Sequence, residues 1–233
     1  MKNNKKPSYR SLWRLLILQA MTISIENVLP VFLEKEKIET SAIWNKRVAF
    51  NKGEKVQIIA PSGSGKTSLI HFIYGMRKDY QGKIVFNEKN IGTFSAEQFA
   101  QLRQNSLSII FQDLKLFPEQ TVLKNIEIKR ALHPFEMESR IVEMAAKLGI
   151  ENKLNRPVKT CSYGEQQRIA IIRALQQPFD FLVMDEPFSH LDENNRKIAA
   201  ELIDAEAAKR KAGLILADLK RVEYFNADRI LHL

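Results

Sequence analysis

Two clusters of residues in this chain have the types and spacing for phosphate chemistry. The first is Ala60-Pro61-Ser62-Gly63-Ser64-Gly65-Lys66-Thr67, which fits the phosphate-loop pattern G-x-x-x-x-G-K-[ST] at every fixed position but the first. Gly63 and Gly65 let the backbone wrap closely around phosphate oxygens, and the amides of residues 62–68, Ser68 included, can face the anion at a helix start. Lys66 has the reach to meet the β- and γ-phosphates, and the Thr67 hydroxyl suits Mg²⁺. Ala60 precedes Pro61, which favours extended backbone that Ala accepts, so the departure is mild. A plain Gly/Ser turn before a helix would not require Lys-Thr directly after the last glycine. The second cluster is Asp185-Glu186, closing the apolar run Phe181-Leu182-Val183-Met184. Asp185 can hold Mg²⁺ through water, and Glu186 can orient or deprotonate an attacking water. Alone, this pair also reads as a strand ending in a polar turn; beside a phosphate loop it becomes a strong signal.

These groups need elements to hold them. Alternation over residues 22–28 and short apolar runs at 55–60, 83–87, 107–112, 181–184, 213–217 and 229–233 predict strands. Helices are expected after the phosphate loop, with Leu69, Ile70, Phe72 and Ile73 inward, and over 96–104, 165–176 and 192–211. Residues 113–160 have helical periodicity and no strong strand, with helices near 121–131 and 136–148. Strands alternating with helices imply a largely parallel sheet covered on both faces. The expected fold class is α/β: a P-loop NTPase core with a mostly parallel sheet flanked by helices, a small antiparallel β region and an inserted helical subdomain. The core takes residues 22–112 and 161–233, the subdomain 113–160, and residues 1–21 form a basic extension. The acidic strand is expected beside the phosphate-loop strand, with ligands at the carboxyl ends of the strands.

Composition narrows the setting. The chain is 45% hydrophobic and 27% charged, ordinary for a soluble globular protein. Of its net charge of +9, Lys2, Lys5, Lys6, Arg10 and Arg14 sit in residues 1–20, which hold no acid. The remainder is only mildly basic, which argues against a nucleic-acid surface and suits work beside an anionic membrane leaflet. Cys161 is the sole cysteine, so no intrachain disulfide forms and a reducing compartment fits. No apolar run approaches the roughly 20 residues that span a bilayer. Residues 15–21 follow Arg14 and read either as a membrane-surface or partner-docking helix, or as an upstream extension before a start at Met21.

Ser162-Tyr163-Gly164-Glu165-Gln166-Gln167-Arg168 reads locally as a capped helix start, Ser162 capping and Glu165 reaching back. With Arg173-Ala174-Leu175 after it and the acidic strand beyond, it also resembles the signature of ABC-type ATPases. The resemblance covers nearly the whole chain from Thr22, with motifs in the family's order. Gln112 in Phe111-Gln112-Asp113 is similar to the Q-loop glutamine, and Ser189-His190-Leu191-Asp192 to the D-loop. Phe32 reads either as the aromatic that stacks on adenine or as a core phenylalanine. The resemblance implies two subunits closing around two ATP molecules, each site combining the phosphate loop of one with the signature of the other. Glu186, Lys66 and Gln112 would then be catalytic. Phe32, Ser62, Gly63, Ser64, Gly65, Lys66, Thr67, Ser68, Ser162, Gly164, Glu165 and Asp192 would contact nucleotide, and Thr67, Gln112 and Asp185 would hold Mg²⁺. The implied partners are a separate transmembrane permease-type subunit, docking a short helix beside Gln112, and a second copy of the chain or a related one. The implied place is cytoplasmic, on the inner face of the membrane.

Three departures bear on activity. Cys161 replaces the usual Leu, and Tyr163 replaces the first signature Gly, where a positive φ would strain it. The switch histidine is absent: Ala217 and Asp218 stand there, and His71, His133, His190 and His232 lie elsewhere. Its loss should weaken hydrolysis more than binding, so a slow ATPase is expected; His190 reads as a solvated loop residue. The stretch from Leu102-Arg103 to Thr121-Val122 resembles ATPases of lipoprotein-releasing, macrolide-export and cell-division complexes, although amino-acid importers share parts of it. The absence of sequence much beyond the last strand disfavours a sugar-importer subunit. The competing readings are a transport or mechanotransmission ATPase, a regulatory ATP-binding module with little turnover, and a DNA-repair ATPase, whose coiled-coil or zinc insertions are missing.

Overall fold

A computed structural model describes residues 21–135 and 137–233; the basic stretch 1–20 lies outside the described residues. In chain order the elements are β1 (Thr22–Pro30), α1 (Lys35–Thr40), β2 (Arg47–Asn51), β3 (Lys55–Ile59), α2 (Lys66–Ile73), β4 (Tyr80–Phe86), β5 (Lys89–Asn90), α3 (Ala96–Asn105) and β6 (Leu107–Ile110). They continue with α4 (Val122–Leu132), α5 (Ser139–Lys147), α6 (Tyr163–Leu175), β7 (Phe181–Asp185), α7 (Glu193–Arg210), β8 (Gly213–Asp218) and β9 (Arg229–His232).

Five strands form a parallel sheet in the order β6-β7-β8-β3-β9. A second, antiparallel sheet has the order β2-β1-β4-β5. The parallel strands are apolar runs because helices or the second sheet cover both faces. Strand geometry sends successive side chains to opposite faces. Leu182, Met184, Leu214 and Leu216 therefore join one core with Ile126, Met144, Ile169 and Ile172 of the helical side. Phe181, Val183 and Ile215 join the other, with Ile25, Trp44, Phe50, Leu69 and Phe72. Each such side chain contributes roughly 1.5–3 kcal/mol on full burial.

One expected adjacency is wrong. The acidic strand β7 does not lie beside the phosphate-loop strand β3; β8 runs between them. The acidic strand end and the phosphate loop are therefore joined by a side chain reaching across β8, not by neighbouring backbone. Two further expectations shift by a few residues. β6 stops at Ile110, which leaves Gln112 in the loop that follows, and α6 starts at Tyr163 rather than Glu165. The short elements α1 and β2 were not anticipated: α1 buries no residue and β2 only Phe50, so neither carries a hydrophobic period to read.

Candidate nucleotide site

β3 delivers the chain into residues 60–65, and α2 begins at Lys66 with Gly65 before it at φ +91°. No side chain caps α2, so its first N–H groups are left for an anion. The loop is held by Trp44, which is fully buried and donates its indole N–H to the Ser64 carbonyl at 3.0 Å. A Cβ on Gly65 would lie 3.0 Å from that ring, so the close approach as well as the positive φ calls for glycine.

Lys66 leaves the first turn of α2, crosses the end of β8, and donates to Asp185 Oδ1 at 2.8 Å and Glu186 Oε1 at 2.5 Å. Burial alone would lower its pKa; the bonds and charges of Asp185 and Glu186 outweigh that and raise it. Lys66 stays an ammonium. Glu186 sits at φ +47°, a left-handed conformation that costs a non-glycine residue free energy. Three bonds hold it there: its N–H donates to the Ala217 carbonyl at 2.9 Å, and its carbonyl accepts from Gln167 Nε2 at 3.0 Å and from the Ser189 N–H at 3.3 Å. The Gln167 Oε1 in turn accepts the His190 N–H at 2.9 Å, linking α6 to the 189–192 turn.

Thr67 Oγ1 donates to Gln112 Oε1 at 3.1 Å, which brings two of the three expected Mg²⁺ ligands together. The third, Asp185, keeps Oδ2 buried and without a partner. A hydroxyl, an amide oxygen and a carboxylate oxygen form a hard, oxygen-only donor set that fits Mg²⁺ completed by phosphate and water. Just beyond Gln112, Leu114 and Lys115 adopt φ of +59° and +48°. Their carbonyls accept from Arg173 Nη2 at 2.5 Å and Nη1 at 2.6 Å, which fixes this strained turn to α6.

Ser162 caps α6 as expected: its Oγ accepts the Glu165 N–H at 3.3 Å, and Glu165 Oε2 accepts the Ser162 N–H at 2.8 Å. Gly164 is needed because a Cβ there would lie 2.9 Å from the His190 carbonyl. The feared strain at Tyr163 does not arise, since it is the first helical residue of α6 and is not among the residues with positive φ. Its ring packs against His190 at 4.2 Å between centroids; His190 is exposed in a turn, as expected of a solvated loop residue, and is a packing partner as well. Tyr163 and His190 share a cavity of about 340 Å³ with Thr67, His71, Gln112 and Asp113. Asp192 caps α7, accepting from the Asn195 N–H at 2.8 Å and from Nδ2 at 2.6 Å. Among the described residues, no hydrogen bond or ion pair joins Ser162, Gly164, Glu165 or Asp192 to the phosphate loop.

Phe32 is not a core residue; it is 50% exposed, with the Arg77 guanidinium 4.7 Å from its ring centroid. Asp218 follows Ala217 at the end of β8, in register with Ile59, and its backbone carbonyl accepts the Ala60 N–H at 2.9 Å. Burial pushes the Asp218 carboxyl up; its bonds from Leu219 and Lys220 oppose this, and the Glu186 charge adds to it. Sequence reasoning missed Trp44, Arg77 and Gln167 as parts of the site. Only Gln167 carried a signal, its place in the signature-like stretch Ser162 to Arg168.

Residues 44–189 match the family model described as ABC transporter. The chain is 36% identical over 178 residues to the lipoprotein-releasing system ATP-binding protein LolD of Buchnera aphidicola, covering 74% of this chain and 76% of that one. It is 31% identical to LolD of Legionella pneumophila over 79% of this chain and 84% of that one. It is 30% identical to the macrolide export ATP-binding/permease protein MacB of Pasteurella multocida, over 83% of this chain but only 30% of MacB. Among solved structures, the bacterial ABC transporter cassette MJ0796, seen as a dimer, superposes with a TM-score of 0.79 at 22% identity, covering 91% of this chain and 94% of that one.

Proposed function

The chain belongs to the ABC transporter ATP-binding family, and from that premise we propose that residues 62–68 hold Mg-ATP, that closure pairs two such subunits, and that the pair drives a separate membrane subunit. The observation that carries the site reading is the Lys66 ammonium held between Asp185 and Glu186 at the mouth of an uncapped helix. An incoming triphosphate competes for that ammonium, and its release from Glu186 frees a carboxylate to accept a proton from water. Thr67, Gln112 and Asp185 would hold Mg²⁺, which when bound neutralises charge on the phosphate oxygens. The amides of residues 62–68 bind the anion, and Phe32 offers a ring to the base. Ser162, Gly164, Glu165 and Asp192 lie outside this set, which accords with their serving the opposite site in a closed pair.

The relatives named LolD and MacB suggest a membrane partner of the lipoprotein-release or macrolide-export kind, and a place at the inner face of the membrane. Among the described residues no helix is long and apolar enough to cross a membrane. A second reading, a regulatory module that closes on ATP and turns it over slowly, is favoured by Asp218 where a histidine was expected. ATPase rates of the native chain and of Glu186→Gln decide between them. Loss of about a hundredfold or more in the variant supports the enzyme, the size expected for a general base. Equal rates would overturn it.

A further inference from the structure

One side chain touches both ends of the nucleotide site. Arg77 Nη1 donates to Ser68 Oγ at 2.8 Å, on the first turns of α2, while its guanidinium covers the Phe32 ring at 4.7 Å. The guanidinium is itself oriented: Nε donates to Asp79 Oδ1 at 2.9 Å, Nη2 pairs with Asp79 Oδ2, and the Phe72 ring lies 5.6 Å away. Asp79 also accepts, through its backbone carbonyl, the Val31 N–H at 3.2 Å, so the Phe32 segment and the Arg77 turn are joined by main chain as well. Phe32 follows the end of β1 in a two-residue turn, and neither Val31 nor Phe32 is buried against the core.

We propose that Arg77 is a positioning residue for the nucleotide base, an inference that rests on the ATP-site reading above. A planar guanidinium stacks on an aromatic face, and the bidentate Asp79 pair fixes its plane in advance. With one face against Arg77 and half of the residue open, Phe32 has a face left for a purine. Ser68 ties that stack to the helix whose start takes the phosphates, so base and phosphates are held at a set separation. A ring ordered before binding loses less side-chain freedom when the base arrives. Lysine could supply the charge but neither the plane nor the fork.

The test is calorimetric titration of the full chain, with Mg²⁺ present, by ATP and by inorganic tripolyphosphate. Arg77→Ala is expected to weaken ATP roughly fivefold, the order of one exposed cation–π contact and the stacking it supports, and to leave tripolyphosphate within about twofold. Phe32→Ala should show the same base-dependent loss, and the double variant no more than the larger single loss. Arg77→Lys should recover less than half of the effect on a logarithmic scale, and Arg77→Gln serves if the alanine variant does not fold. Equal weakening of ATP and tripolyphosphate, or additive losses in the double variant, would overturn the proposal. An unchanged ATP affinity in Arg77→Ala beside a clear loss in Phe32→Ala overturns it too, while leaving the base platform standing. Failure of the native chain to bind either probe is a different result, and it would sink the nucleotide-site reading itself.

Discussion

The indole N–H of Trp44 donates to the main-chain carbonyl of Ser64 at 3.0 Å, inside the phosphate loop. Trp44 lies between α1 and β2, and Ser41 Oγ accepts the N–H groups of both Ile43 and Trp44, at 3.0 and 2.9 Å. The loop that should wrap phosphate is thus fastened to a segment far from it in sequence.

Trp44→Phe keeps a ring against Gly65 and Phe72 but removes the donor. A buried carbonyl left without its partner costs about 1–3 kcal/mol, so denaturant unfolding should show a loss of that size. ATP affinity should fall at temperatures where the variant is still fully folded. An unchanged affinity with an unchanged midpoint would mean that the bond contributes nothing.

Tyr163 and His190 pack in the cavity that also holds Thr67 and Gln112. Tyr163→Gly removes that packing and loosens the first turn of α6, which should cost the isolated subunit about 0.5–1 kcal/mol. Clearing the ring from the cavity should raise the ATP-dependent dimer fraction, read by light scattering, whereas Tyr163→Phe should match the native chain. A fall in dimer fraction with Tyr163→Gly would show that the ring belongs to the closed interface.

How much of this could be read from the sequence depended on whether the signal was local. The phosphate loop, the acidic strand end and the Ser162–Glu165 cap are each specified within a few residues, and they appear where their spacing placed them. Contacts such as Trp44 to Ser64 or Arg77 to Phe32 join segments with no shared motif, and only the folded chain brings them together. The insertion of β8 between β3 and β7 was invisible for a related reason: apolar strands of similar length carry no mark of their order in a sheet. Phe32 was ambiguous because an aromatic after a strand suits a core as well as a ligand; its exposure removes the first option.

Glu206 on α7 is 1% exposed and takes three cations: Arg140 of α5 at 2.7 Å, and Lys209 and Arg210 at 2.6 Å each. Burial would raise its pKa, but the bonds from Lys209 and Arg210 win and hold it below the usual glutamate range. Its contribution to stability is therefore present at neutral pH and lost as pH falls through the lowered value. Glu206→Ala removes the buried carboxylate that pairs with Arg140, Lys209 and Arg210 and should cost about 3–5 kcal/mol at pH 7, the scale for removing one partner of a buried ion pair, with a smaller difference from the native chain in acid. A pH-independent difference would mean that packing, not charge, is what the substitution removes.

Asp218 gives the opposite sign. Burial is the main cause of its raised pKa, Glu186 adds to it, and Leu219, Lys220 and Lys66 oppose. An acid harder to ionise in the fold than in the unfolded chain stabilises the fold only while protonated. That contribution is complete below the ordinary value of 3.8 and is lost as pH rises through the folded value. Asp218→Asn keeps an oxygen for the Leu219 N–H, which the carboxylate accepts at 2.7 Å, and removes the charge. The variant should be more stable than the native chain at pH 7, and the two should converge as pH is lowered below 3.8. The same charge stands near Lys66 and Glu186, where a triphosphate is expected, so its removal should tighten ATP roughly threefold to tenfold, about 1 kcal/mol, the scale of one nearby charge screened by water. Denaturant midpoints and ATP titrations of both proteins across this range test the two claims separately. A native chain that is the more stable of the pair at pH 7 would show that the carboxylate is welcome in its site, and that burial is not what governs it.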